Sequence, residues 1–286
     1  SRFIVGNKTD FASLSSKKDA AGDTNASVTL SQAYFGLTAI PNTVVNIGKQ
    51  GLTTPYTVAT DINGNEQTGT GILALTTVGP VTAGLGYFNN TNLNNSSEIN
   101  ISNGLGLGGN FYAKETNPRT GITTNNWEPA GANGLVNGGS DIYVATVQGD
   151  LDFVKLEAWY LGMQDTFNSY TLAATSNIDL AENAKLGLEA RYVALSLDND
   201  LKEQLALNDD NNAMFRFAVD GKVSIVNARL AYTKTGKKGG LTALDQDAKN
   251  TSLGWAITSN GVANADYIQA ALGADILDNL NLTAHY

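Results

Sequence analysis

Apolar residues recur on every second position along most of this chain, in runs of about eight to twelve residues that end at clusters of Gly, Asn or Asp. Residues 184–196 show it most fully. Leu186, Leu188, Ala190, Tyr192 and Ala194 hold one parity, and Lys185, Gly187, Glu189 and Arg191 hold the other. A strand sends successive side chains to opposite faces, so this segment predicts one apolar face and one face bearing both signs of charge. A soluble sandwich and a membrane barrel with a watery lumen both satisfy that pattern. Helical periodicity is nearly absent, although 198–211 suits a short turn of helix.

The predicted strands come in pairs. Residues 28–39 and 44–51 are joined by Pro41-Asn42-Thr43, 71–78 and 81–88 by Gly79-Pro80, and 141–148 and 151–161 by Gly149-Asp150. Residues 166–178 and 184–196 meet through 180–183, and 265–276 and 280–286 near Asp278-Asn279. Asp220-Gly221, between 212–219 and 223–233, is a strong hairpin signal. Longer polar stretches at 53–70, 89–100, 114–139, 197–211 and 235–250 separate these pairs. Short turns at one rim and long loops at the other are the plan of an outer-membrane barrel, and a sandwich has no need of it. Tyr87, Tyr160, Tyr192, Tyr232 and Tyr286 share the apolar parity near strand ends, where an interfacial aromatic girdle belongs. The expected fold is all-β, a transmembrane antiparallel up-and-down β-barrel. No linker divides the chain, so residues 1–286 are expected to form a single domain.

Composition agrees. Charged residues are 16% of the chain, against about 25% in an average globular protein, while glycine reaches 30 residues. No apolar run approaches the length of a transmembrane helix, and the absence of cysteine excludes disulfides and thiolate chemistry. A formal charge of −9 argues against nucleic acid as a partner and, for a pore, biases conduction toward cations.

Several stretches resemble bacterial porins. Gln32-Ala33-Tyr34-Phe35-Gly36-Leu37, the Pro-Asn-Thr turn and Val44 to Gln50 look like the strand pair that precedes an inward-folded constriction loop. Residues 53–70, with Tyr56, Asp61 and Glu66, would be that loop. Lys155-Leu156-Glu157-Ala158-Trp159-Tyr160, Leu188 to Asp198 and Val223 to Thr233 resemble the major outer-membrane porins of the Campylobacter group. The resemblance implies a homotrimer with about eighteen strands per complete barrel. Roughly twelve to fifteen strands are represented here, so the chain reads as an internal stretch of such a barrel.

Parity predicts which charges face water. Lys155, Glu157, Lys185, Glu189, Arg191, Arg216 and Arg229 lie opposite the apolar sets of their strands. An arginine on the lipid face at the bilayer midplane would cost about 2–4 kcal/mol, so this parity belongs to the lumen. With Lys49 these residues are the expected pore lining. Lys49 would face the acids Asp61 and Glu66 across a transverse field. Taken singly, each charge serves equally well to keep a polar face wet.

No organic cofactor is expected. A divalent cation such as calcium has one candidate site, the acids Asp198, Asp200, Asp209 and Asp210. Asp61 to Glu66 lacks the spacing of a calcium loop. His285 is the sole histidine and stands on the polar parity of its strand, so catalysis is not expected. The expected function is general diffusion of small hydrophilic solutes and ions across an outer membrane. The alternative is a secreted or surface adhesin-like β-protein, which predicts a fixed repeat period that the sequence lacks.

Overall fold

The computed structural model describes residues 12–18, 24–30, 32–60, 66–93, 110–116, 120, 123–129, 139–204, 209–245, 247–252, 257–277 and 279–286. Its strands are β1 (Ala12–Lys18), β2 (Thr24–Leu30), β3 (Ala33–Leu37), β4 (Thr43–Gly51), β5 (Thr68–Val78), β6 (Val81–Thr91), β7 (Asn110–Thr116), β8 (Thr123–Pro129), β9 (Ile142–Leu151), β10 (Val154–Met163), β11 (Phe167–Ala181), β12 (Ala184–Leu197), β13 (Asn211–Val223), β14 (Val226–Thr235), β15 (Asp266–Leu277) and β16 (Leu280–His285). One helix, α1 (Asn199–Gln204), falls where the sequence suggests a helical turn.

Twelve strands form one antiparallel meander that runs from β3 to β16 in chain order. Only β7 and β8 step out of it. They pair with each other, and β6 pairs directly with β9. β1 and β2 form a further two-stranded sheet. The all-β, up-and-down architecture is as expected, but the stretch 114–139, read from sequence as loop, holds the end of β7 and all of β8.

Two predicted turns lie elsewhere. The β9–β10 turn is Asp152-Phe153 rather than Gly149-Asp150, and the β13–β14 turn is Ser224-Ile225 rather than Asp220-Gly221. One cause explains both. Each acid of the apparent turn signal is held in the ladder by a cation on the facing strand. Asp150 pairs with Lys155 at 3.0 Å, and Arg229 Nη1 donates to both oxygens of Asp220 at 3.0 Å. The true turns open on a residue with positive φ (Asp152 at 53°, Ser224 at 53°), which matches the twist of a two-residue hairpin.

The ladders assign every side chain to a face. Leu85, Val147, Leu172, Phe217, Leu230 and Leu272 share the outward parity and are exposed. Lys155, Glu157, Lys185, Glu189, Arg191, Arg216 and Arg229 occupy the inward parity, as the alternation predicted. The predicted tyrosines point outward, and three are tied at the long-loop rim. Tyr87 donates to Asp141 (2.9 Å), Tyr160 to Asn168 (2.7 Å) and Tyr232 to Asp266 (2.5 Å). A ring facing hydrocarbon and a hydroxyl facing water is the arrangement an interface selects.

Near the long-loop rim the inward parity changes character. Phe88, Ile142, Val144, Leu161, Met163, Phe167, Val193, Leu195 and Met214 point inward and are buried, packed with Leu52, Tyr56, Leu241 and Leu244 from two loops. The core therefore sits inside the curved sheet, where inward-folded loops meet its wall. We expect Leu172→Arg, at mid-strand on the outward face, to lower folding stability in vesicles by about 2–4 kcal/mol, whereas Thr175→Lys, inward and opposite Glu189, should leave it nearly unchanged. Denaturant titration of the refolded protein measures both.

Candidate functional site

The inward face of β9–β15 carries charge in two tiers. At the short-turn mouth three pairs join neighbouring strands, Lys155–Asp150 (3.0 Å), Lys185–Asp179 (3.2 Å) and Arg229–Asp220 (3.0 Å), and Lys222–Asp275 (3.2 Å) reaches from β13 across β14 to β15. Asp179, Lys185, Asp220, Lys222 and Arg229 line an open polar hollow of about 540 Å³. These pairs are largely exposed, so each contributes about 0–1 kcal/mol, and their weight lies in the field they present to the opening.

Deeper in, the charges are buried and linked. Arg191 and Arg216 stand directly opposite each other on β12 and β13, a juxtaposition that repels unless an anion lies between. Glu189 supplies it. Its Oε1 accepts from Arg191 Nε at 3.0 Å and from Arg216 Nη2 at 2.5 Å. Glu157 lies 3.8 Å from Arg191 Nη2 and also accepts from Trp159 Nε1 at 3.1 Å. Arg216 Nη1 donates to the carbonyl of Thr251. A chain of polar contacts thus runs from Trp159 through two acids and two arginines to an inward loop. Arg191 and Arg216 are only 2% and 1% exposed, so loop residues rather than the open lumen cover them.

Two loops fold into the lumen. The first, beginning at Leu52, was expected. Tyr56 is fully buried, and its hydroxyl accepts from Thr171 Oγ1 at 2.9 Å on the inner face of β11. Burial pushes this phenol up to about 12, so it remains a neutral hydroxyl. The loop is shorter than predicted, because β5 already begins at Thr68. The second, 241–245 and 247–252, falls largely within the polar stretch 235–250 of the sequence. Asn250 Nδ2 donates to Thr171 Oγ1 at 2.8 Å, Asn250 N–H to the Pro55 carbonyl at 3.1 Å, and Leu244 N–H to the Tyr56 carbonyl at 2.8 Å. Asp245, absent from the sequence-based set, lies fully buried between the loops. A weak signal existed: Leu241, Ala243, Leu244 and Ala248 are more apolar than a rim loop needs.

Lys49, expected in the pore lining, lies near the end of β4. Its ladder partners are Ala33 and Thr70, which put it in register with Ile47 and Val45, next to Gly48 with its left-handed φ of 131°. The expectation for Lys49 comes from the resemblance to porins; strand parity sets it with Val45 and Ile47. Glu66 is half-buried and is taken up by Gln32 Nε2 and by a bridge to Thr60, so it acts at the base of the first loop. Asp61 lies outside the described residues.

The acids considered for calcium have local partners. Asp198 Oδ1 accepts from Asp200 N–H at 2.9 Å at the start of α1. Asp209 pairs with Lys238 at 2.8 Å and also accepts from Asn211. That lysine holds the Asp209 carboxyl far below the carboxylate range, and Asp209 raises Lys238 in return. The tie is complete between the ordinary values of the two groups. It is lost as pH falls through the lowered value of Asp209 or rises through the raised value of Lys238. Among the described residues no group of three or more His, Asp or Glu is arranged to hold a metal.

The architecture has counterparts among solved structures. OccD3 (OpdP) of Pseudomonas aeruginosa superposes with a TM-score of 0.60 at 16% identity, over 87% of this chain and 54% of that one. OpdK of the same species gives 0.61 at 12% identity, over 89% and 60%, and OccAB4 of Acinetobacter baumannii gives 0.57 at 12%, over 86% and 56%. The fold is that of Gram-negative outer-membrane channels. The chain spans roughly 54–60% of the length of these three proteins. No protein-family model matches, and no curated protein matches.

Removal of Glu189 leaves two buried guanidinium groups facing each other. We expect Glu189→Ala to cost about 3–5 kcal/mol. Asp179→Ala, which breaks an exposed pair at the mouth, should cost less than about 1 kcal/mol. Unfolding midpoints in detergent distinguish the two.

Proposed function

We propose that the protein is a passive channel of a Gram-negative outer membrane, embedded in lipid as a homotrimer and passing small hydrophilic solutes and ions through its lumen. The observation that carries this reading is the two-faced sheet. Apolar side chains cover its outside, while paired charges and inward-folded loops occupy its inside. The polar tier at the mouth gives water and solutes a wetted entrance, and the loops set the size limit. The stretches around Lys155 to Tyr160 and Leu188 to Asp198 favour kinship with the Campylobacter-type porins within this class.

General diffusion was the expectation from sequence. The depth of loop packing favours a narrower and more selective path. Among the structural neighbours, OpdK has been crystallised with vanillate and OccK2 (OpdF) with glucuronate, both small organic carboxylates. Those two solutes are therefore the natural probes.

In planar bilayers the refolded protein should conduct in discrete steps, in threes if trimeric. Proteoliposome swelling should proceed faster in glucuronate than in a neutral sugar of equal size if passage is selective, and at equal rates if it is general diffusion. An absence of conductance at every protein concentration overturns the channel reading.

A further inference from the structure

The two inward loops are about 190 residues apart in the chain, and beside the backbone bonds from Leu244 to Tyr56 and from Asn250 to Pro55 one carboxylate joins them. Asp245 Oδ2 accepts from the backbone N–H of Val58 at 2.9 Å and from Gln67 Nε2 at 3.0 Å. Val58 lies on the outgoing limb of the first loop and Gln67 on its return limb. Gln67 already closes that loop, donating its N–H to the Ala59 carbonyl at 3.0 Å and accepting from Leu52 N–H at 2.9 Å. Asp245 therefore grips both limbs at once, from the second loop. Charge-assisted bonds of this kind are stronger than neutral ones, and here they are shielded from water.

Each loop also has its own anchor on the wall. Tyr56 and Asn250 meet at Thr171 of β11, and Thr251 receives Arg216 of β13. The two backbone bonds tie the second loop only to the outgoing limb of the first, at Pro55 and Tyr56, whereas Asp245 also reaches the return limb at Gln67. We propose that Asp245 is the positioning residue of the constriction. By fixing both limbs of the first loop, 52–60 and 66–67, to 241–245 and 247–252, it completes the joining of the two loops into one body, so the passage widens or narrows only when both move together. Solute does not touch Asp245. It acts through Val58, Gln67 and the loop they belong to. This inference rests on the channel reading of the preceding subsection.

The test uses the full chain and two readouts. The chain has no cysteine, so spin labels can be placed cleanly at Thr53→Cys and Lys249→Cys, both exposed, one on each loop. The inter-label distance should be a single narrow population with Asp245 in place and should broaden in Asp245→Asn. In single-channel recording, Asp245→Asn should lose the single stable level and gain sub-conductance steps, while heat-resistant migration of the folded barrel is retained. An equally narrow distance in both proteins overturns the inference, whatever the conductance. So does an unchanged current trace in a conducting Asp245→Asn. If neither protein conducts but the distance still broadens in the variant, the linkage stands and the channel reading fails.

Discussion

A strand surrounded by hydrocarbon can satisfy its backbone N–H and C=O groups only with its neighbours, because no water reaches them there. In this sheet every strand of the meander between β3 and β16 finds a partner on both sides, in nearly unbroken registers. That requirement fixes the pleat, and the pleat fixes which residues can carry charge. Lys185, Glu189 and Arg191 are tolerated in β12 because Leu186, Leu188 and Tyr192 take the other face. The same ladder sets Asp150 against Lys155 and Asp220 against Arg229, so the polar tier of the lumen follows from strand pairing itself.

Burying Arg191 and Arg216 opposite each other would be prohibitive on strand geometry alone. Glu189 makes it tenable by lending one oxygen to both, and Glu157 adds a second acid nearby. The cluster is balanced, with two cations and two anions, so it can lie beneath a loop without a net buried charge. Arg216 Nη1 reaches the Thr251 carbonyl and ties the wall to the loop that covers it. The charges read from sequence as pore lining thus divide into two roles. Lys155, Lys185 and Arg229 pair with acids near the short turns, and at mid-depth Arg216, bound by Glu189, reaches a loop at Thr251.

Much of this was legible in the sequence. The alternation placed seven charged residues on the correct face, and the outward tyrosines followed from the same parity. Turn chemistry misled where an acid next to glycine served a cross-strand cation, since local propensity carries no information about the facing strand. Lys49 shares the parity of Val45 and Ile47, so the alternation did not itself place it among the inward charges. The second inward loop was the larger omission. Its trace lay in β12, where Val193 and Leu195 continue the parity of Glu189 and Arg191 but are apolar. A strand with both faces apolar at one end must be covered there on its inner side. Sequence alone does not say which distant segment does the covering.

The packing inside the lumen also has a consequence for the order of assembly. Tyr56 meets Thr171 across 115 residues, and Asp245 meets Gln67 across 178. Most ladder contacts, by contrast, join strands that follow each other in the chain. Closing a long loop costs entropy that only a pre-formed docking surface can offset. The wall therefore has to assemble first, hairpin by hairpin, and the loops then settle into a cavity that already exists. In this protein the two inward loops are the last part to fold.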